Sequence, residues 1–343
     1  MLTLSLLLAL SLPIEASTPD VCAAQPSEVA RRAAQARAVR VDRNRGYSIM
    51  EIEDGVYWGT DGNFTFAIIT TGAGAIVIDA PATLTEKLVD IVAAVTDEPI
   101  THVIYSHDHA DHIGGAAGLP GEATYIASRG AAEELAIVNR PSREYPFGVF
   151  VGGGSAIPSP TVVVDDTYTL KVGNKVLEMK TLPSAHSHGD LITYLPEQKI
   201  LVAVDLTWPA SVPWVRLGDA VNVPGLIYGN QMLLEYDFEH LIAGHIDSLG
   251  NRQDVELTVA YLEDLQRSSI NALNTLSVAQ VAQDTGETHP YALVDEYYER
   301  LIPLAAAPVI EKWRDKLQGA GIWSCDHAQQ MISSLRFDQD VLD

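Results

Sequence analysis

Four candidate metal ligands follow an apolar segment within residues 102–115, which read HVIYSHDHADHIGG. They are His107, His109, Asp111 and His112, in the spacing His-x-His-x-Asp-His. Titratable groups at the end of a buried strand cost free energy unless something binds them. Neutral imidazoles and a carboxylate suit a borderline divalent ion, zinc first among them. The pattern predicts a metal site, with His107 and His109 serving one ion and Asp111 and His112 serving a second.

Three further candidate ligands end other apolar segments. His186 follows VLEMKTLPSA, Asp205 follows KILVAV and His245 follows LIAG. Each of them alone also fits a hydrogen-bonded structural residue. Four strand ends that carry such groups together favour loops that converge on one metal-binding rim.

The chain alternates between strand and helix patterns and predicts an α/β fold with two sheets covered by helices. Thr83-x-x-Glu86 predicts a capping box that opens a helix, and further helices are expected near 111–118 and 129–139. Beyond about Gln253 the pattern is mainly helical. Runs of β-branched and aromatic residues between turn residues predict strands at 48–52, 56–60, 65–70, 75–79, 102–105, 123–126, 161–164, 176–182, 191–195, 200–204 and 241–243.

From about Tyr47 to about Asp247 these motifs resemble the metallo-β-lactamase-fold hydrolase superfamily, which includes β-lactamases, glyoxalase II and lactonases. The resemblance implies a four-layer αβ/βα sandwich with a dinuclear site between the sheets. In the glyoxalase-II-like and lactonase-like ligand set that it implies, the first metal has His107, His109 and His186, the second has Asp111, His112 and His245, and Asp205 bridges them. The β-lactamases lack that bridging aspartate, and many place a cysteine nearby. The cysteines of this chain are terminal, which weakens a true β-lactamase assignment.

Other side chains are candidates for supporting or substrate-binding roles. Asp79, in AIVIDAP, matches a family aspartate that supports the histidine loop, so we expect it to orient a ligand. For His188, in HSHGD, support of a ligand, contact with substrate and a plain loop position are all open. Asn63 begins an N-glycosylation sequon of undecided occupancy. Aromatic residues on segments that could rim the cleft, each with core packing as the alternative, are Trp58, Phe64, Tyr145, Trp208, Trp214 and Tyr228.

The two ends of the chain carry a candidate targeting signal and a candidate disulfide. Residues 2–13 read LTLSLLLALSLP, too short to span a bilayer, and small residues follow. This predicts a signal peptide over 1–17 and a secreted protein, with a membrane-lying or buried helix as the alternative. Cys22 and Cys325 would form one disulfide in an oxidising compartment, the alternative being two free thiols.

The organisation expected from these patterns has three parts after the signal peptide. Residues 18–46 form an Arg-rich lead-in with a solvated helix, and residues 47–267 form the catalytic domain. Residues 268–343 form a helical extension, for which a cap, a homodimer surface and packing of the chain ends are all open.

The chain has 22 Lys and Arg against 45 Asp and Glu, a net charge of −23. Such a surface repels phosphate backbones, so we expect a small-molecule substrate and neither a nucleic-acid nor a membrane partner.

The function expected from the residues and the resemblance is a secreted hydrolase with two Zn²⁺ per chain. A metal-bound hydroxide would attack a carbonyl substrate, a lactone or ester first and a β-lactam next. Asp111 would orient the hydroxide and pass its proton onward. An iron-dependent oxidoreductase similar to sulfur dioxygenases, a phosphodiesterase and a non-catalytic metal-binding protein are the alternatives.

Overall fold

The computed structural model describes residues 20–138 and 157–338. The signal peptide predicted over 1–17 and the candidate substrate contact Tyr145 lie outside the described residues. Within the two described ranges, no helix combines the length and the apolar character needed to cross a membrane.

A seven-stranded sheet comes first along the chain and keeps its strands in chain order. Its first four strands pair antiparallel and the remaining ones pair parallel. The strands are β1 Ser48–Glu53, β2 Val56–Thr60, β3 Thr65–Ile69, β4 Ala75–Ile78, β5 Ile100–Ile104, β6 Thr124–Ser128 and β7 Val162–Val164.

A five-stranded sheet packs on the first one. Its order is β12-β11-β10-β9-β8, antiparallel except for the parallel β11–β12 pair. The strands are β8 Thr167–Val172, β9 Lys175–Thr181, β10 Leu191–Leu195, β11 Ile200–Val202 and β12 His240–Ile242. Strand β8 was not predicted, whereas the strands expected from the hydrophobic patterning are present with ends shifted by a few residues.

Helices surround the pair of sheets, most of them on its outer faces. They are α1 Glu28–Arg37, α2 Leu88–Ala93, α3 Ala110–Ile113, α4 Arg129–Val138, the single turn α5 Val215–Asp219, α6 Val223–Leu233, α7 Arg252–Thr275, α8 Val278–Thr285, α9 Pro290–Trp313 and α10 Ala320–Phe337. The capping box predicted at Thr83 is wrong. Residues 82–84 form a short 3-10 turn, α2 begins only at Leu88, and the Thr83 hydroxyl donates to Asp61 instead.

Three hydrophobic clusters separate the layers. The cluster between the sheets contains Trp58 and Ile104 from the first sheet and Leu177 and Ile242 from the second. A second cluster joins the first sheet to α2–α4, and the third joins the second sheet to α6, α7, α9 and α10. Burial of apolar surface on both faces of each sheet is the main stabilising contribution. The four-layer αβ/βα sandwich with C-terminal helices is therefore confirmed.

The two ends of the chain are joined to this sandwich. Cys22 and Cys325 form a disulfide, with Cα atoms 5.6 Å apart, so the predicted crosslink is present. The Arg-rich lead-in forms α1, in which Arg37 makes a bidentate ion pair with the buried Asp254 at the start of α7, both N–O distances being 2.6 Å. Apart from this contact, α1 keeps the solvated character expected of it, since only Ala30 and Ala34 are buried.

Candidate metal centre

Five histidines and two aspartates converge where the two sheets meet. The candidate ligand atoms of His107, His109, His186 and Asp205 lie within 4.8 Å of one another, and those of Asp111, His112 and His245 form a second such group. The structure thus brings together all seven residues that the sequence singled out as metal ligands.

Five of these residues follow strands, as the apolar segments in the sequence predict, and Asp111 and His112 lie in the short helix α3. His107 and His109 follow β5, His186 follows β9, Asp205 follows β11 and His245 follows β12. Backbone contacts close the rim, because Thr65 N–H donates to Gly244 C=O at 3.0 Å and Ile246 N–H donates to Asn63 C=O at 3.0 Å. The ends of the two sheets are therefore held against each other beside His245.

Asp205 lies between the two groups. Its Oδ2 is 3.0 Å from His112 Nε2, 3.2 Å from His245 Nε2 and 3.4 Å from His186 Nε2. Asp205 also has a left-handed φ of +58°, a conformation that turns the chain sharply after the strand. One carboxylate oxygen thus contacts histidines of both groups.

Asp79 supports the histidine loop from the neighbouring strand end. It also has a left-handed φ, +62°, and its Oδ1 accepts the backbone N–H of Ser106 at 2.8 Å. The Ser106 hydroxyl lies 2.9 Å from His107 Nδ1. Burial raises the pKa of Asp79 to about 6, against the opposing charge of His112. Asp79 thus holds the loop that carries His107 without lying in either ligand group.

A closed turn presents His186. The Ser187 N–H and hydroxyl both donate to the Asp190 carboxylate, and burial raises the pKa of Asp190 to about 6 despite these bonds. His188 is exposed and lies in neither ligand group. The backbone carbonyl oxygen of His188 packs against Gly130, since a Cβ added at Gly130 would stand 2.0 Å from that oxygen. The neighbouring residues therefore hold the backbone of the turn rather than the His188 ring.

Burial and mutual proximity set the protonation of the cluster. Burial would raise the pKa of Asp205, but His112, His245 and His186 outweigh it and hold that pKa well below its ordinary value. Burial would lower the pKa of His112, yet the Asp205 and Asp111 carboxylates raise it to about 10. Burial lowers the pKa of His186 to about 3. At pH 7 Asp205 is thus ionised and His186 neutral, the forms that bind cations, whereas His112 carries a proton that a bound cation would displace.

Several nitrogen atoms of the cluster face one another in a way that a cation would satisfy. His112 Nε2 is 3.2 Å from His245 Nε2, and His186 Nε2 is 2.9 Å from His109 Nδ1. Among the described residues, the buried His107 Nε2 finds no hydrogen-bond partner. Buried polar atoms without partners call for an explanation such as an ion. A set of imidazole nitrogens and carboxylate oxygens fits a divalent transition metal, zinc in particular.

A cavity of about 330 Å³ adjoins the cluster. Trp208 and Trp214 line it with the ligand candidates. Phe64 packs beside it, with its ring centroid 5.2 Å from that of His245.

Two other aromatic candidates lie elsewhere, so the core-packing alternative applies to them. Trp58 is fully buried between the sheets, and Tyr228 packs against the cluster that joins the second sheet to the C-terminal helices.

One wall of the cavity, formed by the α5 turn, was not predicted from the sequence. Val215, Gly218 and Asp219 line it from the α5 turn, together with Trp214 just before that turn. The Gly218-Asp219 pair is the only local signal of a turn, and it does not indicate which cavity the turn faces.

Comparison with known proteins agrees with this geometry. A family model described as the Metallo-beta-lactamase superfamily matches residues 59–251. The chain belongs to this superfamily. The superfamily match contains all seven candidate ligands and Asp79 and ends at the start of α7.

Two known proteins are similar in sequence to part of this chain. A type 2 metallo-beta-lactamase of Bacillus cereus is 27% identical over 146 residues, which are 42% of this chain and 51% of that protein. The alkyl/aryl-sulfatase BDS1 of Saccharomyces cerevisiae is 26% identical over an alignment of 203 residues that covers 48% of this chain and 31% of that protein. The chain thus matches about half the length of the first relative and about a third of the second.

A solved structure extends the similarity of fold to the C-terminal helices. The stereoselective inverting sec-alkylsulfatase Pisa1 from Pseudomonas sp. superposes with a TM-score of 0.59 at 18% identity. The alignment covers 92% of this chain and 53% of Pisa1. The metallo-beta-lactamase fold and its C-terminal helical region are therefore shared with that protein.

Proposed function

We propose that this protein is a dinuclear zinc hydrolase of carbonyl substrates, with lactones and esters as the first class and β-lactams as a further one. The observation that carries the proposal is the position of Asp205. Its Oδ2 lies within 3.4 Å of His186 in one ligand group and of His112 and His245 in the other. A carboxylate placed in this way could serve as a ligand to two neighbouring divalent ions.

The residues that would hold the ions are the two groups described above. His107, His109 and His186 would hold the first, and Asp111, His112 and His245 the second, with Asp205 common to both. When bound, two Zn²⁺ supply a water of lowered pKa and a Lewis acid that polarises the carbonyl group.

The remaining chemistry belongs to side chains around the cavity. Asp111 has 25% of its side chain exposed and lines the cavity, so its carboxylate is placed to orient the attacking water and to accept its proton. Trp208 and Trp214 bound the cavity with apolar surface that excludes bulk water and packs against the substrate.

The side chains that line the cavity give it an acidic character before any ion binds. Among the described residues that line the cavity none is Lys or Arg, and Asp219 adds a carboxylate. Sulfate esters are the second candidate class, because the curated relative BDS1 is an alkyl/aryl-sulfatase and the fold of Pisa1 covers most of this chain. A sulfate ester keeps a negative charge that the bound ions would partly offset, but no described lining residue supplies a basic side chain to pair with it, so we place carbonyl substrates first.

Secretion is part of the proposal and is supported by the Cys22–Cys325 disulfide, because such bonds persist in oxidising compartments. An iron-dependent enzyme acting on thiols would suit a reducing interior instead. Metal analysis of the purified protein separates the two, since iron in place of zinc would overturn the zinc hydrolase.

The function is tested by a hydrolysis screen of zinc-loaded protein. The panel contains lactones, carboxylic esters, thioesters, β-lactams, phosphodiesters and alkyl sulfates, each assayed with and without a chelator. We expect lactones or esters to be hydrolysed, the chelator to abolish turnover and added Zn²⁺ to restore it. His107→Gln should lack turnover, whereas His289→Gln, which changes an exposed histidine outside the cluster, should retain it. Turnover of alkyl sulfates alone, or of none of these compounds, would overturn the carbonyl hydrolase.

A further inference from the structure

The wall of the cavity contributed by α5 has an unusual backbone. Four consecutive residues, Arg216 to Asp219, have left-handed φ angles of +53°, +52°, +73° and +55°. Only the glycine among them adopts this conformation without steric cost. Side chains with a Cβ persist there only when the surrounding structure holds them.

Helix α10 supplies the contacts that hold this wall. The Asp326 carboxylate accepts the Arg216 N–H, the His327 ring contacts the Trp214 carbonyl with Nε2 at 2.6 Å, and the Gln330 amide donates to the Ala220 carbonyl at 2.9 Å. Residues 326, 327 and 330 lie on adjoining positions of one helix face. All three bonds reach backbone atoms of residues 214–220, so they fix the path of the wall rather than one of its side chains.

The ring of His327 is itself held in place. It is fully buried, and the Tyr261 hydroxyl of α7 lies 2.7 Å from its Nδ1. Burial lowers the pKa of His327 to about 4, so the ring is neutral at pH 7 and carries one N–H. The Trp214 carbonyl only accepts, so Nε2 carries that hydrogen and Nδ1 accepts from Tyr261. α7 and α10 thus act together on the start of the wall.

The wall in turn positions two indoles beside the candidate ligands. A Cβ at Gly218 would stand 2.4 Å from the Trp208 ring, so backbone and indole are in close contact. The Trp208 ring lies 6.3 Å from His245 and 6.5 Å from His186, measured between centroids. Its Nε1 is buried without a hydrogen-bond partner among the described residues, so packing alone sets its place. The ring of Trp214, the first residue of the wall, lies 4.5 Å from that of His245, measured between centroids.

We propose that Asp326, His327 and Gln330 are positioning residues that hold segment 214–220 as the substrate-selecting wall of the cavity. The wall selects carbonyl substrates with an uncharged apolar acyl chain, which packs on Trp208, Trp214 and Val215. This substrate class rests on the proposed hydrolase function, whereas the holding of the wall does not. The C-terminal helical extension thereby acquires a role in the specificity of the site.

The positioning role is tested first without any substrate. The double variant Asp326→Ala/Gln330→Ala removes two partly buried side chains that contact the wall, and Gln329→Ala changes an exposed neighbour on the same helix. Amide hydrogen exchange of peptides spanning 214–220 should be at least tenfold faster in the double variant and unchanged in the control. Asp326→Asn/Gln330→Ala, which keeps an acceptor for Arg216, should recover part of the protection. Equal exchange in the double variant and the wild type would overturn the role.

The selectivity is tested with p-nitrophenyl acetate and p-nitrophenyl hexanoate on zinc-loaded protein. In the double variant we expect KM for the hexanoate to rise at least fivefold, with kcat and the acetate kcat/KM changed less than twofold. An equal fall for both esters, as general destabilisation would produce, would overturn the assignment of selectivity. If the wild type hydrolyses neither these esters nor the other carbonyl compounds of the screen, the proposed function and the substrate class fail, and the exchange result still decides whether α10 holds the wall.

Discussion

The Trp208 indole lies against Gly218, where an added Cβ would stand 2.4 Å from the ring. Gly218 also has a φ of +73°. The position therefore places two separate demands on the residue, a left-handed backbone and the absence of a side chain. Both demands serve the wall that faces the candidate metal centre.

Gly218→Ala should separate these two demands when it is compared with Gly286→Ala. Gly286 has a similar φ of +71° but nothing within 4 Å of an added Cβ. We expect Gly286→Ala to lower the free energy of unfolding by about 1 kcal/mol. Gly218→Ala should lower it by about 2–4 kcal/mol, because it adds a clash with a packed indole. Chemical denaturation measures both, and equal losses would show that the Trp208 contact carries no energetic weight.

Removal of Arg37 should destabilise the junction between α1 and α7. Its partner Asp254 has a side chain only 1% exposed and would lose both charge-assisted bonds. We expect Arg37→Ala to lower the free energy of unfolding by about 2–3 kcal/mol. Arg32→Ala is the control, because Arg32 is 75% exposed and its ion-pair partner among the described residues is the exposed Glu28. Its loss should stay below about 0.5 kcal/mol, and a similar loss for both variants would contradict the account.

Loss of the disulfide should destabilise the protein, because the bond joins residues 303 positions apart and restricts the unfolded chain. We expect the double variant Cys22→Ser/Cys325→Ser to have a free energy of unfolding lower by about 2–4 kcal/mol. A reductant should reproduce the loss in the wild type and leave the double variant unchanged. A reductant effect on the double variant would point to a cause other than this bond.

His327 should contribute a defined pH dependence to stability. Its pKa falls from 6.5 to about 4 on folding, because the ring is buried. Between those values the unfolded chain binds a proton that the folded chain excludes. The free energy of unfolding therefore falls as pH decreases through that window, and the residue adds no slope above it.

The contribution of His327 to the pH dependence is measured by comparing the wild type with His327→Gln. The compared quantity is the slope of the free energy of unfolding against pH. Within the window the wild-type slope should be steeper by up to about 1.4 kcal/mol per pH unit. Denaturation curves between pH 7.5 and pH 4.5, after metal removal from both proteins, measure it, because the ligand histidines then contribute equally. Parallel slopes would contradict a buried, neutral His327.

Much of the fold and all seven clustered residues could be predicted from the sequence, because their signals are local. The apolar runs that end at His107, His186, Asp205 and His245 each indicate a strand. The polar residue at the end of each run indicates a functional group at the strand end. The layers follow from the same runs, since segments buried on both faces need partners on both sides.

The parts that could not be predicted depend on contacts between distant residues. Asp326 contacts Arg216, which lies 110 positions earlier in the chain. The sequence around neither residue indicates that the other is its partner. The left-handed turn has a single glycine as its signal. Thr83 shows the opposite error, because a good local capping pattern is overridden by a bond to Asp61. Strand β8 is a different case, because Tyr168, Leu170 and Val172 alternate with polar residues and pack on the cluster between the sheets, so its sequence carried a strand signal that was overlooked.

The metal content of the protein with and without Asp205 tests the dinuclear centre most directly. Elemental analysis after loading with Zn²⁺ and desalting should give about two zinc ions per chain in the wild type. Asp205→Ala should retain one or fewer and lose turnover, while the exposed-site control His289→Gln should retain both ions. Two zinc ions and full turnover in Asp205→Ala, or a wild type that holds no zinc, would contradict a dinuclear centre bridged by this carboxylate.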